Sequence, residues 1–213
     1  AVGLAANEFS RKKTDAEAQV IRTQRDISMK IIVIGIVIAL LAVFLFFAFG
    51  AVDNIWHAVV GLLIVGIIAF LFTTVAANAI AIVGSNPVSG MTLMTLILAS
   101  LVMVAVGLNG TAGMTAALII GGVVCTALSV AGAFITDLKI GYWIGSTPKK
   151  QETWKFLGTL VAAATVGGVM LVLNKTYGFT GEGARVAPQA NAMAAVIEPM
   201  MNGGSAPWLL YGI

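Results

Sequence analysis

The sequence predicts an all-α, polytopic transmembrane helix bundle with five spans and the start of a sixth. Three observations support this fold class. The 213-residue chain is 59% hydrophobic and only 10% charged, whereas soluble domains carry about 25% charged residues. No Asp, Glu, Lys or Arg occurs between Asp53 and Asp137, and that stretch is long enough for three spans of about 20 residues each. Turn-forming segments at 53–54, 85–87 and 107–113 divide the apolar sequence.

Five apolar runs define the predicted spans, and polar segments separate them. A polar segment at 1–30 is followed by spans at about 31–50, 56–84, 88–106, 114–136 and 156–174. Residues 175–206 are predicted to form a polar loop. Within it, the helix-forming Ala, Met and Val residues at 189–201 predict a short interfacial helix. Because 207–213 have the composition of the start of another apolar helix, we expect the chain to be a piece of a larger bundle.

The distribution of basic residues predicts the orientation. With residues 1–30 in the cytoplasm, five alternating spans place the 137–155 segment on the same side. Of the 12 Lys and Arg residues, only Lys175 and Arg185 then lie outside, as the positive-inside rule requires. We therefore expect a multi-pass protein of the inner (plasma) membrane, with a cytoplasmic N-terminal segment and the 175–206 loop on the extracytoplasmic side.

The composition also disfavours several classes of function. The net charge is +3, but the basic residues flank the spans and are not interleaved with aromatic residues, so no nucleic-acid partner is expected. Cys125 is the only cysteine and His57 the only histidine, and neither HExxH nor GxSxG occurs. We therefore predict that the chain is not an enzyme and that it holds neither a cofactor nor a metal.

The sharpest local feature is a break in the apolar sequence at 84–90. Pro87 lacks an amide donor and disfavours helix in the residue before it, and Ser85, Asn86 and Ser89 surround it. Transporters use such breaks to bind substrates and coupling ions. A plain cytoplasmic turn between two spans would have a similar sequence, so both interpretations stay open.

Polar residues also recur on the faces of the neighbouring spans. Asn78 shares a face of the second span with Thr74, and Thr92 shares a face of the third with Thr95. An unpaired amide or hydroxyl group in hydrocarbon costs several kcal/mol, so these faces must turn towards partners or water. Hydrogen bonding between helices explains them as well as a transport pathway does.

Small residues form stripes on the fourth and fifth spans, and these stripes predict close helix packing rather than a substrate site. On the fourth span the stripe contains Gly122, Cys125, Ser129, Gly132 and Thr136, and on the fifth it contains Gly158, Gly167 and Gly168 among alanines.

Two charged residues, Asp137 and Lys139, follow directly on the predicted fourth span. An acid at a helix C-terminus opposes the helix dipole, so Asp137 is expected to cap a following helix or to have a partner, for which Lys139 is a candidate. A solvated interfacial charge is the alternative.

Three motifs resemble prokaryotic members of the oligopeptide transporter family. They lie at 22–30 (RTQRDISMK), at 86–92 (NPVSGMT) and, most specifically, at 137–151 (DLKIGYWIGSTPKKQ), and a fourth similarity covers 187–196. The resemblance implies a many-helix secondary transporter for small peptides or metal–chelate complexes, usually coupled to protons. This chain would be a middle-to-late piece of it, and we expect that the piece does not transport alone. The implied partners are the remaining spans, the lipid bilayer, the substrate and protons, and homo-oligomerisation is left open.

This resemblance, together with the break and the charges beside the spans, leads to a set of candidate site residues. For ion coupling we select Asp137 and Lys139. The rival hypothesis is a non-transporting scaffold or accessory subunit that packs through its small-residue faces. The candidates for substrate binding are Asn78, Ser85, Asn86, Pro87, Ser89 and Thr92.

Overall fold

The computed structural model describes residues 23, 25–51, 54–86, 88–179 and 188–201, and it confirms the all-α prediction. Within these ranges there is no strand. The predicted sixth span at 207–213 and most of the polar segment at 1–30 lie outside the described residues. The helices are α1 (Met29–Phe46, continued by a π-helical turn at Phe47–Ala51), α2 (Ile55–Val83), α3 (Val88–Ala105), α4 (Gly110–Ile144), α5 (Pro148–Tyr177) and α6 (Pro188–Met201).

Four of these helices are long and apolar enough to cross a membrane. They cover Met29–Gly50, Ile55–Val83, Gly110–Ile144 and Pro148–Tyr177, with 22, 29, 35 and 30 residues. Helix α3 occupies the position of the predicted third span, but it has 18 residues and its apolar part is shorter, at Gly90–Ala105. The described residues thus form a multi-pass arrangement of four long helices and one shorter apolar helix.

The segment between the predicted fourth and fifth spans, 137–155, is a helical hairpin. Helix α4 continues to Ile144 rather than ending near Thr136, and α5 already begins at Pro148. At 1.5 Å per residue α4 is about 50 Å long, well beyond the ~30 Å hydrocarbon core. The expectation that Asp137 lies at a helix C-terminus or caps a new helix is therefore wrong, because Asp137 is inside α4.

The chain divides into two compact units. The described residues of Leu40–Ala133 and Arg185–Ile213 form one unit, and those of Ala1–Ala39 and Phe134–Ala184 form the other. We call the former the core unit and the latter the hairpin unit.

The core unit has a packed interior in which α3 contacts both α2 and α6. Helix α6 lies where the sequence predicts a short interfacial helix, and it buries Ile197 and Met201. At Gly113, a Cβ atom would lie 3.0 Å from the sulfur of Met201 and would also overlap the carbonyl oxygen of Leu108. The interior consists mainly of aliphatic side chains, among them Val65, Ile80, Leu96, Met103, Ile120, Val124 and Leu128.

The hairpin unit is held by backbone geometry and a few polar contacts. Gly145 has φ +76°, the left-handed conformation that glycine adopts most readily. The amide of Ser146 donates to the carbonyl of Gly141 at 2.8 Å, and that of Gly145 donates to the carbonyl of Tyr142 at 3.2 Å. This pattern is a Schellman motif, which ends α4. Pro148 then begins α5, since a proline at the first helical position needs no amide donor.

Candidate functional site

The break between α2 and α3 lies in the core unit, where the sequence predicted it. Gly84 ends α2 in the left-handed conformation, with φ 78°, and its amide donates to the carbonyl of Ile80. Ser85 and Asn86 follow in non-helical conformation and are exposed, and α3 begins at Val88. Pro87 lies outside the described residues. Ser89 is in the first turn of α3, but its side chain is not described.

Asn86 links this break to α4. Its Nδ2 donates to the carbonyl oxygen of Leu128 at 3.5 Å, the long limit for a hydrogen bond. Gly132, one turn further along α4, provides the space for this amide, because a Cβ atom at that position would overlap Asn86 Nδ2. The same Cβ would lie 3.0 Å from Cδ1 of Ile80. A glycine at 132 therefore lets the break region approach the α4 backbone.

The other predicted polar residues bind their own helices. Asn78 is exposed, and its Nδ2 donates to the carbonyl of Thr74 at 3.0 Å. Thr92 is buried, and its Oγ1 donates to the carbonyl of Val88 at 2.7 Å. Likewise, Oγ1 of Thr95 donates to the carbonyl of Met91 at 2.8 Å. Hydroxyl groups that bond to their own helix need no partner helix, so these contacts agree with a simple structural role for Thr92 and Thr95.

The predicted small-residue stripes are only partly used for packing. On α4, Gly132 contacts Asn86 as described, but a Cβ atom added at Gly122 would meet nothing within 4 Å. The same is true of Gly158, Gly167 and Gly168 on α5. In the most apolar stretch of this helix, no residue is buried by other described residues. The prediction that these α5 glycines pack closely has no counterpart among the described contacts.

The hairpin unit contains Asp137, whose partner is Lys155 of α5. The two side chains form an ion pair, in which Lys155 is 31% exposed and Asp137 is 50% exposed. Lys139, the partner that the sequence suggested, instead places its Nζ 5.9 Å from the centroid of the Trp143 ring, within range of a cation–π contact. Asp137 and Lys155 also line an open cavity of about 260 Å³.

The segment before α1 is attached to the start of α5. The amide of Lys149 donates to the carbonyl of Arg25 at 2.9 Å, and the amide of Ile27 donates to Oε2 of Glu152 at 2.8 Å. The bond from Lys149 gives a partner to one of the backbone amides that a helix N-terminus leaves unpaired. The sequence motifs at 22–30 and 137–151 are thus brought into contact.

Sequence reasoning missed several residues that the structure brings into play. Lys155 was counted only as a flanking charge, although it and Asp137 lie at similar distances from the turn at 145–147, which would have predicted their contact in a hairpin. Ser100 is fully buried, with no partner for its Oγ among the described residues. His57 lies beside the end of α3, with Nε2 3.4 Å from the carbonyl oxygen of Val106.

Among the described residues there is no group of three or more His, Cys, Asp or Glu side chains that could hold a metal ion.

Comparison with known proteins extends beyond this geometry. The family model for the OPT oligopeptide transporter protein matches residues 4–213. A Haemophilus influenzae protein named "Putative oligopeptide transporter" is 26% identical over 149 residues, which cover 61% of this chain and 24% of the relative. The match thus spans about a quarter of that relative's length. No solved structure matches the chain. Because the family model covers nearly all of the sequence, the chain belongs to the oligopeptide transporter family.

Proposed function

We propose that the chain is part of a secondary active transporter for small peptides or metal–chelate complexes, coupled to protons. Membership of the oligopeptide transporter family over residues 4–213 carries this proposal. The long apolar helices agree with it. Since the matched relative is about four times as long as the aligned region, the activity belongs to the whole protein, and the remaining spans of the same transporter are the proposed partners in the lipid bilayer.

On the substrate side we assign the leading role to Asn86. Its amide carries two donor hydrogens and an acceptor oxygen, the residue is exposed, and its bond to Leu128 is long at 3.5 Å. Such a bond is readily exchanged for one to a substrate. Exposed Asn78 and Ser85 would extend the polar path. The supporting roles that we propose for Pro87, Ser89 and Thr92 are to keep the helix broken and to frame its polar edge.

For proton coupling we assign Asp137, with Lys139 nearby on the same helix. Asp137 is half-exposed and paired with Lys155, so protons can reach it. Protonation removes the charge that attracts the ammonium group of Lys155. A carboxyl group at such a position couples proton binding to a rearrangement of its partner.

The test is uptake by the purified full-length transporter in proteoliposomes, with a labelled tripeptide and a labelled metal–chelate complex as probes. We expect saturable uptake of at least one probe, driven by an inward proton gradient and abolished by a protonophore. Asn86→Ala should raise KM about tenfold through the loss of about 1.4 kcal/mol of hydrogen bonding. Asp137→Asn should abolish the dependence of uptake on external pH.

Two matched variants serve as controls. Asn109→Ala removes an exposed amide outside the break, and Glu198→Gln removes an exposed acid from α6; both should transport like the wild type. If the full-length protein took up neither probe, the proposal would fail, and the scaffold hypothesis, which family membership does not favour, would regain support. If Asn86→Ala and Asp137→Asn both kept normal rate, KM and pH dependence, the site assignment would be wrong.

A further inference from the structure

The cavity in the hairpin unit combines an apolar wall with three polar side chains. Phe134, Leu138 and Ile140 of α4 form the apolar part, and Asp137, Gln151 and Lys155 supply the polar groups. Its volume, about 260 Å³, is close to the lower end of the ~300–1,000 Å³ that small-molecule sites occupy. A ligand the size of a dipeptide, or the end of a larger one, matches this volume.

The ion pair in this cavity can open at little cost. Lys155 and Asp137 are 31% and 50% exposed, so water already solvates both partners, and exposed ion pairs contribute little to stability. Lys155 is therefore a cation held beside a cavity by an exchangeable anion. A carboxylate from a ligand can take the place of Asp137 without burying an uncompensated charge.

Gln151 has a fixed position in the same cavity. Its carboxamide group packs against Gly141 of α4 so closely that a Cβ atom at 141 would overlap it. The glycine is buried, and the α4–α5 turn keeps the two helices together at this level. The carboxamide group has a donor and an acceptor, the complement of a peptide amide, and Gln151 lines the same cavity as Lys155.

From this arrangement we propose that the cavity binds the carboxylate end of the transported ligand, with Lys155 as its anchor, and that the ligand carboxylate takes the place of Asp137 at Lys155. The inference rests on the proposed transport function and deepens it. The ligand carboxylate displaces Asp137, and the ammonium group of Lys155 then pairs with the ligand. Small peptides, one of the two proposed substrate classes, carry such a carboxylate at their C-terminus.

Other charged groups of the hairpin unit have different contacts. Lys155 is the charged group that faces Asp137 from α5, while Lys139 on α4 contacts Trp143. At the start of α5, Glu152 accepts the amide of Ile27. The remaining charged side chains that the structure describes in this unit are Arg25, Asp26, Lys30, Lys149, Lys150 and Lys175, and none of them lines the cavity.

The test compares two ligands that differ only at one end, dialanine and dialanine amide, by calorimetric binding to the purified full-length transporter. The wild type should bind dialanine about tenfold more tightly than the amide, as expected for one charge-assisted hydrogen bond. Lys155→Gln should reduce it to twofold or less, whereas Lys155→Arg should retain it.

Asp137→Asn gives the decisive result, because its Lys155 is never held by a carboxylate. It should prefer dialanine over the amide at least as strongly as the wild type does, because no carboxylate competes for Lys155. Lys150→Gln, with the same charge change on the same helix, should behave like the wild type. The proposal is overturned if neither ligand binds, if Lys155→Gln keeps the preference, or if Asp137→Asn abolishes it. If one of these binding results is found while the wild-type protein still takes up peptide, only this site is contradicted. If the wild-type protein takes up no peptide, the proposed function itself is contradicted.

Discussion

Substitution of Gly132 by alanine should destabilise the core unit because it displaces Asn86. The added methyl group would overlap Asn86 Nδ2 and lie 3.0 Å from Cδ1 of Ile80. Overpacking of this kind costs about 1–3 kcal/mol, and the lost 3.5 Å bond to Leu128 adds about 0.5 kcal/mol. Alanine recovers about 0.8–1.0 kcal/mol through its higher helix propensity. We expect a net loss of about 1–2 kcal/mol.

The same helix offers a matched control. Gly122→Ala introduces the same methyl group where nothing lies within 4 Å, so only the gain in helix propensity remains. The assay is the apparent melting temperature of the purified full-length protein in detergent, followed by tryptophan fluorescence at one scan rate. Gly122→Ala should match or exceed the wild type, and Gly132→Ala should melt lower.

A double mutant identifies Asn86 as the cause. In an Asn86→Ala background the carboxamide group is absent, so Gly132→Ala should cost about 1–2 kcal/mol less than it does in the wild type, a coupling typical of residues in contact. Equal melting temperatures for Gly132→Ala and Gly122→Ala, or strictly additive effects in the double mutant, would refute the contact between the break and α4.

Three further predictions concern the hairpin unit and the orientation. Gly145→Ala should lower the melting temperature of the full-length protein through the ~1–2 kcal/mol cost of a left-handed conformation for an L-residue; an unchanged value would contradict the turn geometry. Glu152→Ala should speed hydrogen exchange at the amide of Ile27, whereas Glu152→Gln retains an acceptor and should not; equal exchange in both variants would argue against this attachment. In a cysteine-free background, Lys12→Cys and Thr180→Cys should react with an impermeant thiol reagent from opposite sides of the membrane, and labelling from one side would contradict the predicted orientation.

The fold class could be predicted from the sequence because the bilayer restricts the choices so strongly. A run such as 31–50, without charges or helix breakers, leaves no alternative to a helix, since every backbone polar group must be satisfied within the segment. The ends of the helices were less predictable. Asp137 and Lys155 bounded the predicted spans because they are charged, yet charge limits the part of a helix that lies in hydrocarbon and not the helix itself.

Contacts between helices depend on turn geometry that hydropathy does not report. Gly145, Ser146 and Pro148 contain the information for a tight hairpin, since a left-handed glycine ends one helix and a proline begins the next. Such a hairpin brings together residues at equal distances from its turn, and Asp137 and Lys155 form one of these pairs. The sequence alone identified Asp137 by its position beside the long uncharged stretch, but its partner followed only from the turn. A charged residue next to a predicted span is therefore best interpreted together with the residue that the nearest turn places opposite it.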